Sequence, residues 1–290
     1  MSSKTTRTLD LLRFGGGVVL LLLGLVAVVP APNGWIFLLS VLVTEGGHWV
    51  VVACLPLFAP GWRRSRVGRG GVILGLLGTL LLLTPLARAV SFSRALPVAL
   101  ETRFADVGSI SPAVAGRPAP LVARDLFRGV RSPVVRVEDH LVASVDGQDL
   151  RLDLYRPLGD HPPLPGVVVV HGGSWQSGSR KDFPALNRYM AARGYVVAAV
   201  SYRFAPRFRF PAARDDVMAA IAFLKRNAGR LGLDAHRLAL VGRSAGGQLA
   251  LVVAYTADDP AIKGVVSYYG PAALRWGYAN PAKRSIIDSS

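Results

Sequence analysis

Leu238-Ala239-Leu240-Val241-Gly242-Arg243-Ser244-Ala245-Gly246-Gly247-Gln248-Leu249-Ala250 is the stretch that decides the fold. Arg237 to Val241 has the short apolar character of a buried strand, and Ala245 to Tyr255 has the apolar spacing of a helix. Gly242 to Gly246 leaves no residues for a loop between them. A strand that turns this sharply into a helix forces its central residue into strained backbone geometry, and the flanking small residues avoid Cβ clashes. The Ser244 hydroxyl is thereby lifted to the carboxyl edge of the sheet, beside helix N–H groups that favour developing negative charge. The bland alternative is an ordinary strand-to-helix turn.

Working outward, the chain after Pro133 alternates strand and helix. Val134 to Val142 and Gln148 to Tyr155 alternate like a half-exposed antiparallel hairpin around Asp146-Gly147, a strong turn dipeptide. Gly166 to Val170 is a short all-apolar run that suits a buried parallel strand. Phe183 to Arg193 is helical, Tyr195 to Val200 a strand, Ala212 to Asn227 a helix, and Gly264 to Tyr268 a strand. An antiparallel hairpin followed by this alternation predicts an α/β fold, a mostly parallel sheet with helices on both faces. His171-Gly172-Gly173-Ser174-Trp175 follows the strand ending at Val170, where glycines let backbone N–H groups face a cavity. A histidine opening such a turn reads as a hydrogen-bonding brace for the loop rather than as a general base.

Together these residues resemble the α/β-hydrolase fold, and within it the hormone-sensitive-lipase-like and BD-FAE-like esterases, a group that also resembles kynurenine formamidases with their HGGxW signature. Four segments carry the resemblance: His171 to Trp175, Ser201-Tyr202-Arg203-Phe204-Ala205-Pro206, Pro211-Ala212-Ala213-Arg214-Asp215-Asp216, and Gly242 to Gly247. It covers about Val134 to Pro271. The resemblance implies a serine hydrolase with Ser244 as nucleophile and an oxyanion hole from the N–H groups of Gly173, Ser174 and Ala245. Gly172 would position that loop, and His171 and Trp175 would support it. No metal or cofactor is implied. Ser201 stands where the family has Asp, and Arg207-Phe208 where Glu-His often follow.

In this fold the triad runs Ser, then Asp or Glu, then His along the chain. His48, His140, His161, His171 and His236 all precede Ser244. The expectation is therefore a sequence truncated at its C-terminus, with the catalytic Asp and His not present; the stretch Arg284 to Ser290 reads as a helix start cut mid-element. Asp258, Asp259 and Asp288 are acid candidates only by default and read as surface carboxylates. A natural pseudoenzyme is the alternative.

The first part of the chain is of a different kind. Of 290 residues, 51% are hydrophobic and 18% charged, and the mean hydropathy of +0.37 does not fit a purely water-soluble protein. Phe14 to Val29, Trp35 to Phe58 and Gly70 to Ala87 are each apolar enough to cross a bilayer, and a cleaved leader could explain only the first. Lys4, Arg7 and Arg13 before the first span, and Arg63, Arg64, Arg66 and Arg69 between the second and third, contrast with an uncharged loop between the first two. This bias puts the N-terminus in the cytoplasm and everything after Arg88 on the far side. Glu45 and His48 share one face of the second span, which fits a helix–helix polar contact better than a proton relay. The expected organisation is a three-helix membrane anchor over 1–90, a linker with short amphipathic helices over 91–133, and the hydrolase domain over 134–290.

The formal net charge is +16, but the basic residues are spread through the chain without an aromatic-interleaved block, so nucleic acid is not an expected partner. Cys54 is the sole cysteine, which excludes an internal disulfide framework and a Cys-rich metal site. The expected function is a multi-pass cell-membrane serine hydrolase, its hydrolase domain extracytoplasmic, cleaving small-molecule or lipid-like carboxylic esters. Amide hydrolysis of formamidase or peptidase type, or a non-catalytic membrane scaffold, are the other readings.

Overall fold

A computed structural model describes residues 3–104 and 121–274. Residues 105–120 of the expected linker, Asp288 and the helix start expected over Arg284 to Ser290 lie outside the described residues. The chain divides into two compact units, with residues 3–104 in the first and 122–274 in the second.

The first unit is helical: α1 (Ser3–Val28), α2 (Gly34–Ala53), α3 (Arg66–Leu82) and α4 (Thr84–Arg103). Thr5–Val28, Gly34–Ala53 and the run Arg66–Arg103 are long and apolar enough to cross a membrane. Side-chain caps start two of them. Asn33 accepts a hydrogen bond from the Ile36 N–H at 3.0 Å, and Ser65 from the Gly68 N–H at 2.9 Å. α2 stops at Ala53, short of the expected Phe58, because Pro56 lacks the N–H that an α-helix would need there; Leu55–Phe58 forms a 3-10 turn instead. The region expected to be a linker from residue 91 begins inside the 20-residue helix α4, which runs through Pro97 to Arg103. Glu45 lies on the exposed side of α2 and His48 is half-buried.

Small residues hold α1 against α3. A Cβ on Gly71 would lie 2.6 Å from the carbonyl carbon of Arg13 and the nitrogen of Phe14, and one on Gly78 would lie 2.5 Å from the nitrogen of Leu21. These are backbone atoms, so only glycine permits the approach. Residue numbers rise together along both helices, which therefore run parallel, as a chain returning through α2 requires. At one end of this seam Asp10 and Arg13, 4% and 8% exposed, pair at 3.0 Å. The Ser65 hydroxyl donates to the second oxygen of Asp10 at 2.6 Å, and Arg13 also donates to the carbonyls of Ala59 and Pro60. Every charge buried there has a partner.

In the second unit a short helix α5 (Ala123–Arg128) precedes the sheet. Its strands are β1 (Arg136–Val145), β2 (Gln148–Arg156), β3 (Leu164–Val170), β4 (Val196–Val200), β5 (Leu233–Arg243) and β6 (Ile262–Tyr268). The helices between them are α6 (Pro184–Ala191), α7 (Ala212–Arg226), α8 (Ala228–Leu231) and α9 (Ala245–Thr256). Spatial order is β1-β2-β4-β3-β5-β6. β1 pairs antiparallel with β2 and β2 with β4, while β3, β4, β5 and β6 run parallel. The hairpin turn has Asp146 at φ 50° and Gly147 at φ 74°, the two positive angles that a tight two-residue connection needs. β4 is buried at all five positions, which is why its sequence is uniformly apolar.

Alternate residues of the central strands feed opposite faces. Val168, Val170, Ala198 and Val200 pack with Val217, Ile221 and Leu224 of α7 and Leu249 and Val253 of α9. Val167, Val169, Val197 and Ala199 pack with Met190 and Ala191 of α6. At about 1.5–3 kcal/mol per fully buried Val or Leu side chain, this two-sided burial is the main force fixing strand register. The carboxyl ends of β3, β4, β5 and β6 therefore meet along one rigid edge.

Candidate active site

Ser244 stands at that edge between β5 and α9. Its backbone angles, φ 53° and ψ −124°, lie in a region that non-glycine residues populate rarely and at a cost of about 1–3 kcal/mol. The surroundings hold it there. The Ser244 N–H donates to the Tyr268 carbonyl of β6 at 2.9 Å, and the Ser244 carbonyl accepts the first helical bond of α9 from Gln248 at 3.1 Å. A Cβ on Gly242 would fall on the carbonyl oxygen of Gly246, and one on Gly246 would fall on the carbonyl oxygens of Val170 and His171. The turn closes onto the end of β3 only because both positions are bare.

The second loop crosses directly beside it. A Cβ on Gly172 would lie 2.9 Å from the Arg243 carbonyl oxygen and 3.3 Å from the Ser244 Cβ, so this backbone is in near contact with the serine. Gly173, Ser174 and Trp175 all have positive φ, at 118°, 53° and 60°, and the carbonyl of Gly173 accepts from the N–H groups of Gln176 and Ser177. The N–H groups of Gly173, Ser174 and Ala245 have no protein acceptor among the described residues.

Five interactions brace this loop. His171 is 2% exposed, hydrogen-bonds through Nδ1 to the Gly172 carbonyl at 2.8 Å, and stacks on Tyr202 with ring centroids 4.3 Å apart. Burial holds its imidazole below the ordinary value of 6.5, so the ring stays neutral and Nδ1 carries the donated proton. Burial pushes the Tyr202 phenol up, which keeps it protonated to donate to the His171 carbonyl at 3.1 Å. The Trp175 indole N–H donates to Oε1 of Gln248 in α9 at 3.1 Å, and the Trp175 carbonyl accepts from the Ala205 N–H at 2.9 Å.

Beneath these contacts lies an ion pair. Arg203, 9% exposed, donates Nε and Nη2 to the carboxylate of Asp216, 2% exposed, at 2.8–3.0 Å, and its backbone N–H donates to the same carboxylate at 2.8 Å. Its third nitrogen reaches Asp146 in the hairpin turn. The segment 201–211 is thus tied to α7, to the hairpin and to the loop that follows β3 at once.

The structure brings Gly172, Gly173, Ser174, Ala245 and Ser244 to one edge of the sheet. Asp258 and Asp259 precede β6 and so lie at the opposite, amino edge, where Asp259 is held by Lys225 at 2.7–2.9 Å. Sequence reasoning missed Tyr202, Gln248 and the Arg203–Asp216 pair, whose partners are 13 to 73 residues away. Only the small-residue spacing around Ser244 is a local signal. Among the described residues no group of His, Cys, Asp or Glu has the arrangement of a metal site.

Residues 152–279 match the BD-FAE family model. The chain is 42% identical over 121 residues to the ethyl acetate hydrolase of Pseudomonas putida, covering 41% of this chain and 38% of that protein. It is 34% identical over 144 residues to the carboxylesterase NlhH of Mycobacterium tuberculosis, 48% of this chain and 45% of that protein. To the esterase LipC of the same organism it is 40% identical over 113 residues, covering 38% of this chain and 28% of that protein. The chain thus spans less than half the length of these curated relatives. Family match, strand order and turn geometry agree on an α/β-hydrolase fold for the second unit, within which residues 152–279 are similar to the BD-FAE family.

Proposed function

We propose that this protein is a membrane-anchored serine hydrolase that cleaves carboxylic esters through an acyl-enzyme on Ser244. The observation that carries the reading is the strained Ser244 backbone, held between bare glycines beside a loop whose Gly173 and Ser174 N–H groups have no protein acceptor among the described residues. The Ser244 oxygen attacks the ester carbonyl carbon and its proton passes to a general base. The carbonyl oxygen takes up the negative charge, stabilised by the N–H groups of Gly173, Ser174 and Ala245. Collapse expels the alcohol, which takes the proton back, and water then releases the acid by the same steps in reverse order. None of the five histidines in these 290 residues fills the base role. His171 is committed to its loop, and the family order puts the base after Ser244.

The test uses the protein at the full length its gene encodes. It should hydrolyse a p-nitrophenyl ester and lose at least about 10³-fold on Ser244→Ala. Equal turnover by residues 1–290 alone, abolished by Ser244→Ala, would place the base among the residues above and overturn this mechanism. For the anchor, the Arg asymmetry supports a cytoplasmic N-terminus with the hydrolase unit on the far side. An alkaline phosphatase reporter fused after Ser132 should be active; a silent phosphatase with an active cytoplasmic reporter at the same point would reverse the orientation.

A further inference from the structure

The segment Arg203-Phe204-Ala205-Pro206-Arg207-Phe208-Arg209-Phe210-Pro211, with Arg214 following in α7, alternates arginine with phenylalanine. It is an ordered segment. The Phe208 N–H donates to the Phe204 carbonyl at 3.0 Å, and Ala212 to Arg209 at 2.9 Å, between two prolines and above the Arg203–Asp216 anchor. Its cations divide into two kinds. Arg203 is neutralised by Asp216 and Asp146, and Arg214 by Asp215 at 2.6 Å. Arg207 and Arg209 are exposed and have no carboxylate partner among the described residues.

The aromatic rings are arranged to match. Phe208 is half-buried, with the guanidinium carbons of Arg203 and Arg207 5.1 and 5.0 Å from its centroid. Phe210, next to Arg209, is 69% exposed although it is a large apolar side chain on an ordered turn. An exposed phenylalanine with unpaired Arg209 beside it and unpaired Arg207 three residues before it, the Arg214 guanidinium lying 5.7 Å from its ring centroid, matches the boundary between acyl chains and anionic headgroups. There the ring enters the apolar side and the guanidinium groups take phosphate oxygens. The same chain has three helices of membrane-crossing length, so such a surface is always near at hand.

We propose that residues 206–211 form a docking surface for anionic phospholipid, with Phe210 inserting at the headgroup level and Arg207 and Arg209 binding phosphate. The loop's Ala205 N–H is bonded to Trp175 of the loop beside Ser244, so docking would set the mouth of the candidate site at the lipid boundary. The lipid contact itself does not depend on acyl-transfer chemistry and is tested without it.

The full chain carrying Phe210→Trp is reconstituted in nanodiscs of phosphatidylcholine alone or mixed with phosphatidylglycerol, with acyl chains brominated near the headgroup. The position is exposed, so the exchange leaves packing intact. The emission added by the new indole, relative to the unmodified chain, should shift to the blue and be quenched in the phosphatidylglycerol discs. Raising the salt concentration or adding Arg207→Gln and Arg209→Gln should remove the effect. Emission at 210 that stays unshifted and unquenched in phosphatidylglycerol would overturn the proposal. Equal quenching in both lipids, indifferent to salt and to the arginine changes, would overturn the anionic recognition.

Discussion

The Arg203–Asp216 pair should be worth several times any surface ion pair of this domain. Asp216→Ala removes the acceptor for Nε, Nη2 and the backbone N–H of Arg203, all within 2.8–3.0 Å. Removing one partner of a buried pair typically costs about 3–5 kcal/mol, because the other charge is left without compensation. Asp146 still faces the guanidinium, but its side chain is 62% exposed and restores only part of the loss, so the lower end, about 3 kcal/mol, is expected. Hydrogen exchange of β4 and α7 amides in the detergent-solubilised full chain reads this unit separately from the first. At about 1.4 kcal/mol per tenfold, protection should fall roughly 10²-fold. Asp215→Ala, which breaks only the exposed pair with Arg214, should change protection by less than about threefold. Arg203→Met combined with Asp216→Leu should recover most of the loss, since no buried charge then remains. A fall of less than about fivefold in Asp216→Ala, or a double variant no better protected than the single, would refute the reasoning.

Three further outcomes follow from the geometry. Gly246→Ala drives a methyl group into two carbonyl oxygens and should destabilise the second unit by at least about 1–3 kcal/mol by the same exchange measurement, whereas Gly264→Ala, with open space around it, should be neutral or better. Gly78→Leu should separate α1 from α3 and lower the detergent melting temperature of the first unit, while Gly15→Leu, which meets nothing, should not. The hydrogen bonds from Lys225 hold the Asp259 carboxyl below its ordinary value of 3.8, so this pair stabilises the fold above that value and loses its effect as pH falls through the lowered one. With Lys225 about a third exposed the gain is modest: Asp259→Asn should melt slightly lower near neutral pH, by about 0.2–1 kcal/mol, and match the unmodified chain at about pH 2.

Where a segment's own residues decided its structure, the sequence was readable. β3 and β4 are buried on both faces and so are spelled in valine and alanine, and the turn at Asp146-Gly147 needs angles that this dipeptide supplies. β5 was readable only in its second half. Its first residues include Asp234 and His236, and they join the strand because Leu233 pairs with Leu164 across the sheet. α4 was hidden by Pro97, which costs a helix about 3 kcal/mol in isolation and yet sits inside one here. At the candidate site Ser244 was legible because an elbow demands small residues at fixed offsets. The bonds from Trp175 to Gln248 and from Tyr202 to His171 were not, because each joins residues that only the folded sheet brings together.

The glycine seam of the first unit also imposes an order on its assembly. During synthesis α1 emerges long before α3, and until then its bare face has no helix to meet. Once α3 has packed, Asp10 and Arg13 are 4% and 8% exposed, so either of them left unpaired there would be costly. Asp10 and Arg13 lie one turn apart on α1, so they can neutralise each other as soon as that turn forms, with Ser65 completing the shell when α3 arrives. The first helix thus carries its own counterion through the interval in which it waits for its neighbour.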